Sequence, residues 1–166
     1  SGAQDAIGIC IPGLCRHYYD NHFWPEKFEM CNDEDILSWL ENHLCMVPMD
    51  PRPQGCSVVE GKDITEENVK NLAQAADDCW NAIMAKDLNA FATAYKASFN
   101  AQVAMFPAMI QGTVQSYIDR YSKEPDVLAW KMPGAGGGGY LALVVENTAT
   151  FMQKNPEAIN LIIRRK

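Results

Sequence analysis

Five glycines occupy a six-residue segment between two apolar, strand-like stretches of the sequence. The segment is Gly134-Ala135-Gly136-Gly137-Gly138-Gly139, and it lies between residues 127–132 and 140–145. Each ordered glycine costs about 0.5–1 kcal/mol relative to alanine, and a hairpin turn needs only one or two of them. The segment therefore predicts either a loose turn or a loop whose bare backbone closely approaches a phosphate or another loop.

Two common nucleotide-binding motifs do not fit this segment. Gly134, Gly136 and Gly139 match the pattern G-x-G-x-x-G, which in dinucleotide-binding folds opens a helix. Here the sequence Tyr-Leu-Ala-Leu-Val-Val follows and predicts a strand instead. A Walker phosphate-binding loop is excluded as well, because no Lys-Ser or Lys-Thr follows the glycines.

The cysteines and histidines do not form a recognisable metal or nucleophile motif. The six cysteines include no C-x-x-C pair, whereas a structural zinc site normally has a close ligand pair and a second pair. We therefore expect free, mostly buried thiols and a reducing, cytoplasmic compartment. His17, His22 and His43 are expected on the surface or in strands.

Composition and charge narrow the class of protein. The chain has 166 residues, 48% of them hydrophobic, and a net charge of −7, which favours a folded domain and disfavours nucleic-acid binding. Its longest clean apolar run, residues 140–145, is far shorter than the ~20 residues of a membrane span. No secretory signal opens the sequence, and the basic end Arg164-Arg165-Lys166 is expected to be a solubilising tail.

Hydrophobic periodicity and capping residues predict mixed helices and strands. The predicted helices cover residues 1–11, 33–42, 65–85, 87–106, 113–121 and 148–154. The predicted strands cover residues 14–19 and 23–30, joined by a turn at Asp20-Asn21, and 44–49, 127–132, 140–145 and 161–164, with a loop over 50–61. This order predicts an α+β fold in which helices cover an antiparallel sheet.

With these elements in place, the sequence resembles the C-terminal part of the GHMP kinases, named for galactokinase, homoserine kinase, mevalonate kinase and phosphomevalonate kinase. The last motif of that family is a G-A-G-x-G-G loop between two strands, and residues 134–139 match it. Members with a carboxylate base carry G-x-x-D on a helix, which is similar to Gly2-Ala3-Gln4-Asp5. In sugar kinases of the heptose and fucose type an apolar helix, a glycine and a strand commonly follow, as in residues 6–18.

The resemblance implies a fold, a reaction and roles for particular residues. The fold would be the ferredoxin-like α+β C-terminal domain of a GHMP kinase. Residues 1–166 would form one unit, in which 1–62 end the catalytic core region and 63–166 form the C-terminal domain. The reaction would be ATP- and Mg²⁺-dependent phosphorylation of a sugar hydroxyl, with Asp5 as the catalytic base and Gln4 as a substrate contact. The residues that would support the nucleotide and phosphate loop are Gly134, Ala135, Gly136, Gly137, Gly138 and Gly139.

One large part of the family pattern does not occur in this sequence. The phosphate loop P-x-x-x-G-L-G-S-S-A and the acidic residue that helps to hold magnesium lie upstream of G-x-x-D in the family. We therefore expect the C-terminal portion of a kinase, inactive alone, with no metal ligand of its own. Its expected partners are the N-terminal half of the same kinase, ATP and the sugar, and neither nucleic acid nor a membrane. The alternative is a non-catalytic α+β binding or regulatory module that has kept the fold.

The roles of Lys131 and of the four tryptophans are not assigned by these motifs. Lys131 precedes the glycines and is expected to be a solvated lysine at a strand end rather than a phosphate ligand. The four tryptophans are expected in the core or in a groove, where one of them could stack on a sugar, and they are Trp24, Trp39, Trp80 and Trp130.

Overall fold

The chain folds into an α+β structure with two antiparallel sheets, as the sequence predicts. The computed structural model describes residues 3–55 and 57–165, apart from the side chain of Asp5. Its α-helices are α1 (Ala3–Cys10), α2 (Glu34–His43), α3 (Glu66–Ala85), α4 (Leu88–Met105), α5 (Val114–Tyr121) and α6 (Thr148–Lys154). Its strands are β1 (Leu14–Tyr18), β2 (Lys27–Cys31), β3 (Leu44–Pro48), β4 (Val127–Lys131), β5 (Tyr140–Val145) and β6 (Ile159–Asn160).

The larger sheet has the strand order β4-β5-β3-β6, and every neighbouring pair is antiparallel. The smaller sheet is the hairpin β1-β2, whose register runs from Leu14 opposite Cys31 to Tyr18 opposite Lys27. Residues 19–26 connect these two strands, so the connection is longer than the predicted two-residue turn. Phe23 and Trp24 lie in it and are exposed instead of belonging to a strand.

Side-chain caps fix where the long helices begin. The Thr65 hydroxyl accepts a hydrogen bond from the amide of Asn68 (3.1 Å), and the Asp87 carboxylate accepts one from the amide of Ala90 (3.0 Å). Each cap satisfies an otherwise unpaired amide and typically stabilises a helix by about 1 kcal/mol. Only Lys86 and Asp87 separate α3 from α4, and the two helices pack against each other.

Helices cover both faces of the larger sheet. Residues 141–145 of β5 are all buried, so the strand contributes side chains alternately to two cores. Leu143 packs with Tyr121 of α5 and Phe151 of α6, whereas Val144 packs with Phe91 of α4. These two cores hold the sheet and the α3-α4 pair in fixed positions, on which the site depends.

The C-terminal segment differs from the prediction in two ways. The strand predicted over residues 161–164 is wrong, because β6 is limited to Ile159 and Asn160. After β6 the backbone forms hydrogen bonds with one side chain and with the loop before β1. The amide of Ile163 donates to the Glu41 carboxylate (2.5 Å), and the carbonyl of Arg164 accepts from the amide of Gly13 (2.9 Å).

The basic end is also not a free tail. The Arg165 guanidinium donates two hydrogen bonds to Glu34 (2.7 and 3.0 Å) and pairs with Glu41, so it ties the end of the chain to α2. Lys166 lies outside the described residues. In the described part of the chain, no helix is long and apolar enough to cross a membrane.

The five described cysteines are free thiols, as predicted, and Cys56 lies outside the described residues. Their burial is more varied than expected. Cys31 and Cys45 are buried, Cys15 and Cys79 are half-buried, and Cys10 is exposed.

Candidate functional site

A pocket of about 490 Å³ lies where α1, β1, α3, α4 and the end of β4 meet. Its floor is apolar and is formed by Leu14, Leu40, Leu44, Ala76, Ile83 and Phe91. Its remaining lining is formed by Gln4, Cys15, Arg16, His17, Cys79, Trp80, Tyr95, Ser98 and Lys131. An apolar cavity with a few convergent polar groups is the usual form of a small-molecule site.

The G-x-x-D segment reaches this pocket. Gln4, the predicted substrate contact, is one of the lining residues. Asp5, the predicted base, is the next residue in the first turn of α1, and its side chain lies outside the described part of the structure, as does Gly2. The structure therefore places the helix that carries both candidate residues at the pocket.

Lys131 is half-buried and hydrogen-bonded within the chain, which corrects the expectation of a solvated lysine at a strand end. Its ammonium group donates a hydrogen bond to the hydroxyl of Ser98, a buried residue of α4. Burial lowers the pKa of the Lys131 amine, and the neighbouring Cys79 opposes this effect. The cause is long-range packing, since α4 covers the end of β4 just where a lysine at an open strand end would meet water.

Arg16, the second cation of the pocket, already has carboxylate partners. Its guanidinium donates a hydrogen bond to Asp77 of α3 and lies 3.6 Å from the Glu29 carboxylate. It also lies over the ring of Tyr18, 4.7 Å from the centroid. These contacts fix Arg16 between the hairpin and α3 and neutralise its charge.

Trp80 and Tyr95 contribute aromatic surface to the pocket. Trp80 is one of the four tryptophans expected in the core or in a groove, whereas the sequence does not single out Tyr95 as a site residue. Tyr95 lies at helical spacing from Phe91 and Phe99, so core packing is its expected role. Burial raises the pKa of the Tyr95 phenol, and it raises the pKa of the neighbouring Cys79 thiol to about 11. Both groups are therefore neutral near pH 7 and act as packing or hydrogen-bonding surface.

The glycine loop packs closely on a loop of the same chain. An added Cβ at Gly138 would lie 2.6 Å from the carbonyl oxygen of Asp50 and 2.7 Å from the amide of Arg52. The Arg52 side chain donates two hydrogen bonds to the carbonyl of Gly136 (2.6 and 3.1 Å). Of the two predicted alternatives, a loose turn is wrong, and close backbone approach to another loop is what the structure shows.

Gly136 lies in the core, not at an open hairpin end. Gly136 is buried, and an added Cβ would lie 2.7 Å from the side chain of Met109. A bulky residue at Gly136 therefore has to displace Met109, which is itself fully buried. We expect Gly136→Val to lower stability as well as any activity.

The glycine loop and the pocket are joined through one face of α4. Ser98 binds Lys131 in the pocket, and one turn later, about 6 Å along the helix, the Gln102 amide donates to the carbonyl of Gly134 (3.1 Å). Lys131 ends the strand from which the glycine loop starts. A displacement of the loop is thus expected to move the lysine.

Two observations concern the binding of a metal ion or a phosphate by the described residues. Within residues 3–55 and 57–165, no group of three His, Cys, Asp or Glu side chains is placed to hold a metal ion. The amides of Gly137 and Gly139 donate to the carbonyls of Met109 (2.9 Å) and Asp50 (3.0 Å). Those two amides are therefore occupied, and they are not donors for a phosphate.

Comparison with known proteins shows likeness at the level of structure. No family model and no curated protein matches the chain. A Campylobacter jejuni protein assigned as a sugar kinase matches 85% of this chain and 42% of its own, with 14% identity and a TM-score of 0.53. A structure of MDDEF in complex with MVAPP matches 91% of this chain and 53% of its own, with 12% identity and a TM-score of 0.53. A mevalonate kinase structure matches 84% and 46%, with 16% identity and a TM-score of 0.47.

These comparisons establish the type of fold. At such low identity the likeness shows the fold alone, and it confirms the predicted α+β class. The chain spans about half the length of the solved structures that it matches. The type of fold is thus that of the matched part of these two neighbours.

Proposed function

We propose that this chain is the C-terminal portion of an ATP-dependent kinase that phosphorylates a sugar hydroxyl. The observation that carries the proposal is the meeting of Gln4, Trp80 and Lys131 in one pocket beside the glycine loop. The G-x-x-D helix and the glycine motif are far apart in the sequence, and a kinase needs both at the acceptor. The kinase-type fold supports the same reading.

The residues of this portion would bind and orient the acceptor. Trp80 offers an aromatic surface on which a sugar ring can stack, and the Gln4 amide can both donate to and accept from sugar hydroxyls. Asp5, beside Gln4 on α1, would accept the proton of the attacked hydroxyl. Phosphoryl transfer depends mainly on such positioning and on charge stabilisation.

The N-terminal half of the same protein would supply the site for Mg²⁺ and the ATP phosphates. Two observations support this assignment: the described residues include no cluster of three His, Cys, Asp or Glu side chains for a metal ion, and two of the loop amides are occupied. The glycine loop packs closely on residues 50–52. It would in turn pack against the phosphate loop of the N-terminal half.

Titration calorimetry with Mg-ATP tests this division of roles. The 166-residue chain should show no specific binding, and the longer protein that includes the upstream coding sequence should bind Mg-ATP with an ordinary micromolar to millimolar affinity. Micromolar binding by the chain alone would contradict the proposed division. Absence of binding by the folded longer protein would favour the non-catalytic module.

A further inference from the structure

Lys131 is a half-buried cation, and it has no carboxylate partner among the described residues. Its ammonium group has three donors, and Ser98 accepts one of them. Among the described residues, no Asp or Glu oxygen lies within 4.0 Å of its nitrogen. Burying an ammonium group is costly unless it is paired, so the free donors favour an anion in the pocket.

The charge of the pocket lining points in the same direction. The described side chains that line it include Arg16, His17 and Lys131 but no Asp or Glu, although the chain as a whole has 21 acidic and 14 basic residues. Arg16 is neutralised by Asp77 and Glu29, which lie outside the lining. Among the described side chains of the lining, Lys131 is therefore the cation whose charge no carboxylate neutralises.

We infer that the acceptor is an anionic sugar derivative and that Lys131, held by Ser98, binds its carboxylate or phosphate oxyanion within this pocket. This inference rests on the proposed function, because it names the substrate class of the same site. The oxyanion would accept hydrogen bonds from the lysine ammonium, and the sugar ring would contact Trp80 on α3. Lys131 is in this role a binding residue and takes no part in the proton transfer.

The first test compares the binding of two anionic sugars and one neutral sugar to the wild-type chain. The indole N–H signal of Trp80, assigned by its loss in Trp80→Phe, is followed by NMR during titration with glucose 6-phosphate, glucuronate and glucose. At least one anionic sugar should bind about 10–100-fold more tightly than glucose, as expected for a charge-assisted hydrogen bond in a partly buried site. If glucose 6-phosphate binds more tightly than glucuronate, the site prefers a phosphate, and the opposite order shows a preference for a carboxylate.

A set of variants then assigns the effect to Lys131. Lys131→Met should abolish the preference for the anion over glucose, and Lys131→Arg should retain part of it. Lys96→Met is the matched control, since Lys96 also lies on α4 near β4 but stacks on the ring of Trp130 (4.6 Å) outside the pocket lining. Thermal melts establish that each variant is folded.

The outcomes separate this inference from the kinase proposal. Equal binding of glucose and both anions, no binding of either anion, or an unchanged preference in folded Lys131→Met would overturn the inference. Phosphorylation of neutral sugars by the longer protein, with rates unaffected by Lys131→Met, would also overturn it while retaining the kinase. Anion binding through Lys131 without any phosphoryl transfer would retain the anion site in the pocket and reject the kinase.

Discussion

Asp5 and Gln4 are neighbours in the first turn of α1, and Gln4 lines the pocket. A carboxylate at this position has two possible uses. It can stabilise the helix N-terminus by about 0.3–1 kcal/mol, or it can accept a proton from a bound hydroxyl. The two uses differ in what they predict for turnover, so a substitution that keeps the shape of the side chain separates them.

Asp5→Asn in the longer protein should reduce kcat by about 10²–10⁴-fold and leave the affinity for Mg-ATP nearly unchanged, because a general base acts on the acceptor hydroxyl. Steady-state kinetics and ATP titration measure the two quantities. Asp35→Asn is the control, since Asp35 lies in the first turn of α2 and does not line the pocket. If both variants retain wild-type turnover, Asp5 is only a helix-end charge.

Single residues were predictable where a local pattern defined them. Gln4 follows from the G-x-x-D motif, and the structure places it in the pocket. The environment of Lys131 was not predictable in this way, because its burial depends on Ser98, 33 positions away. Trp80 could not be chosen from the four tryptophans for a related reason: its spacing on α3 fits the core and the pocket equally well.

At the scale of elements, the glycine loop combines two kinds of constraint. Gly134 has a positive φ of 66° with no atom within 4 Å of an added Cβ, whereas at Gly138 an added Cβ would meet the backbone of residues 50–52. The first position is thus limited by backbone conformation alone and the second by conformation and space. The pair makes a matched comparison within one loop.

Gly134→Ala should lower the free energy of unfolding by about 1–2 kcal/mol, which is the cost of a left-handed conformation for a residue with a Cβ. Gly138→Ala should lower it further, because the loop at Asp50 and Arg52 also has to move. Urea denaturation of the two variants measures the difference. Equal losses in the two variants would mean that the loop relaxes away from residues 50–52.

Element types and most boundaries were predictable because caps and periodicity are local. Thr65 and Asp87 cap α3 and α4 as the sequence indicates, and α6 covers the predicted residues 148–154. The last strand was not predictable, since the backbone after β6 binds Glu41 and Gly13 instead of a neighbouring strand. Such long-range partners leave no periodic signal in the sequence.

At the scale of the whole molecule, Arg165 joins the chain end to α2. Its hydrogen bonds lower the pKa of Glu34 to about 2, with a smaller contribution from Ser38, and they also lower the pKa of Glu41. A carboxyl group whose pKa is lower in the folded state stabilises the fold above its unfolded pKa, near 4.5. That contribution is lost as the pH falls through the folded value.

Arg165→Met should therefore lower the melting temperature at pH 7, and the difference from wild type should shrink as the pH falls from about 4.5 toward 2. Thermal melts at pH 7, 4 and 2.5 provide the comparison. Lys70→Met removes an exposed pair with Glu66 and should have little effect at pH 7. If the melting temperature of Arg165→Met stays below that of wild type by the same amount down to pH 2.5, the ion pairs of Arg165 do not contribute to stability.

Transfer of the ATP γ-phosphoryl group to a sugar is the most direct test of the proposed function. The longer protein is incubated with Mg-ATP and a panel of neutral and anionic sugars, and ³¹P NMR follows the products. The account predicts a new sugar phosphate ester that forms in step with ADP, and no ester with the 166-residue chain alone. Absence of an ester with every sugar, from a folded longer protein that binds Mg-ATP, would contradict it.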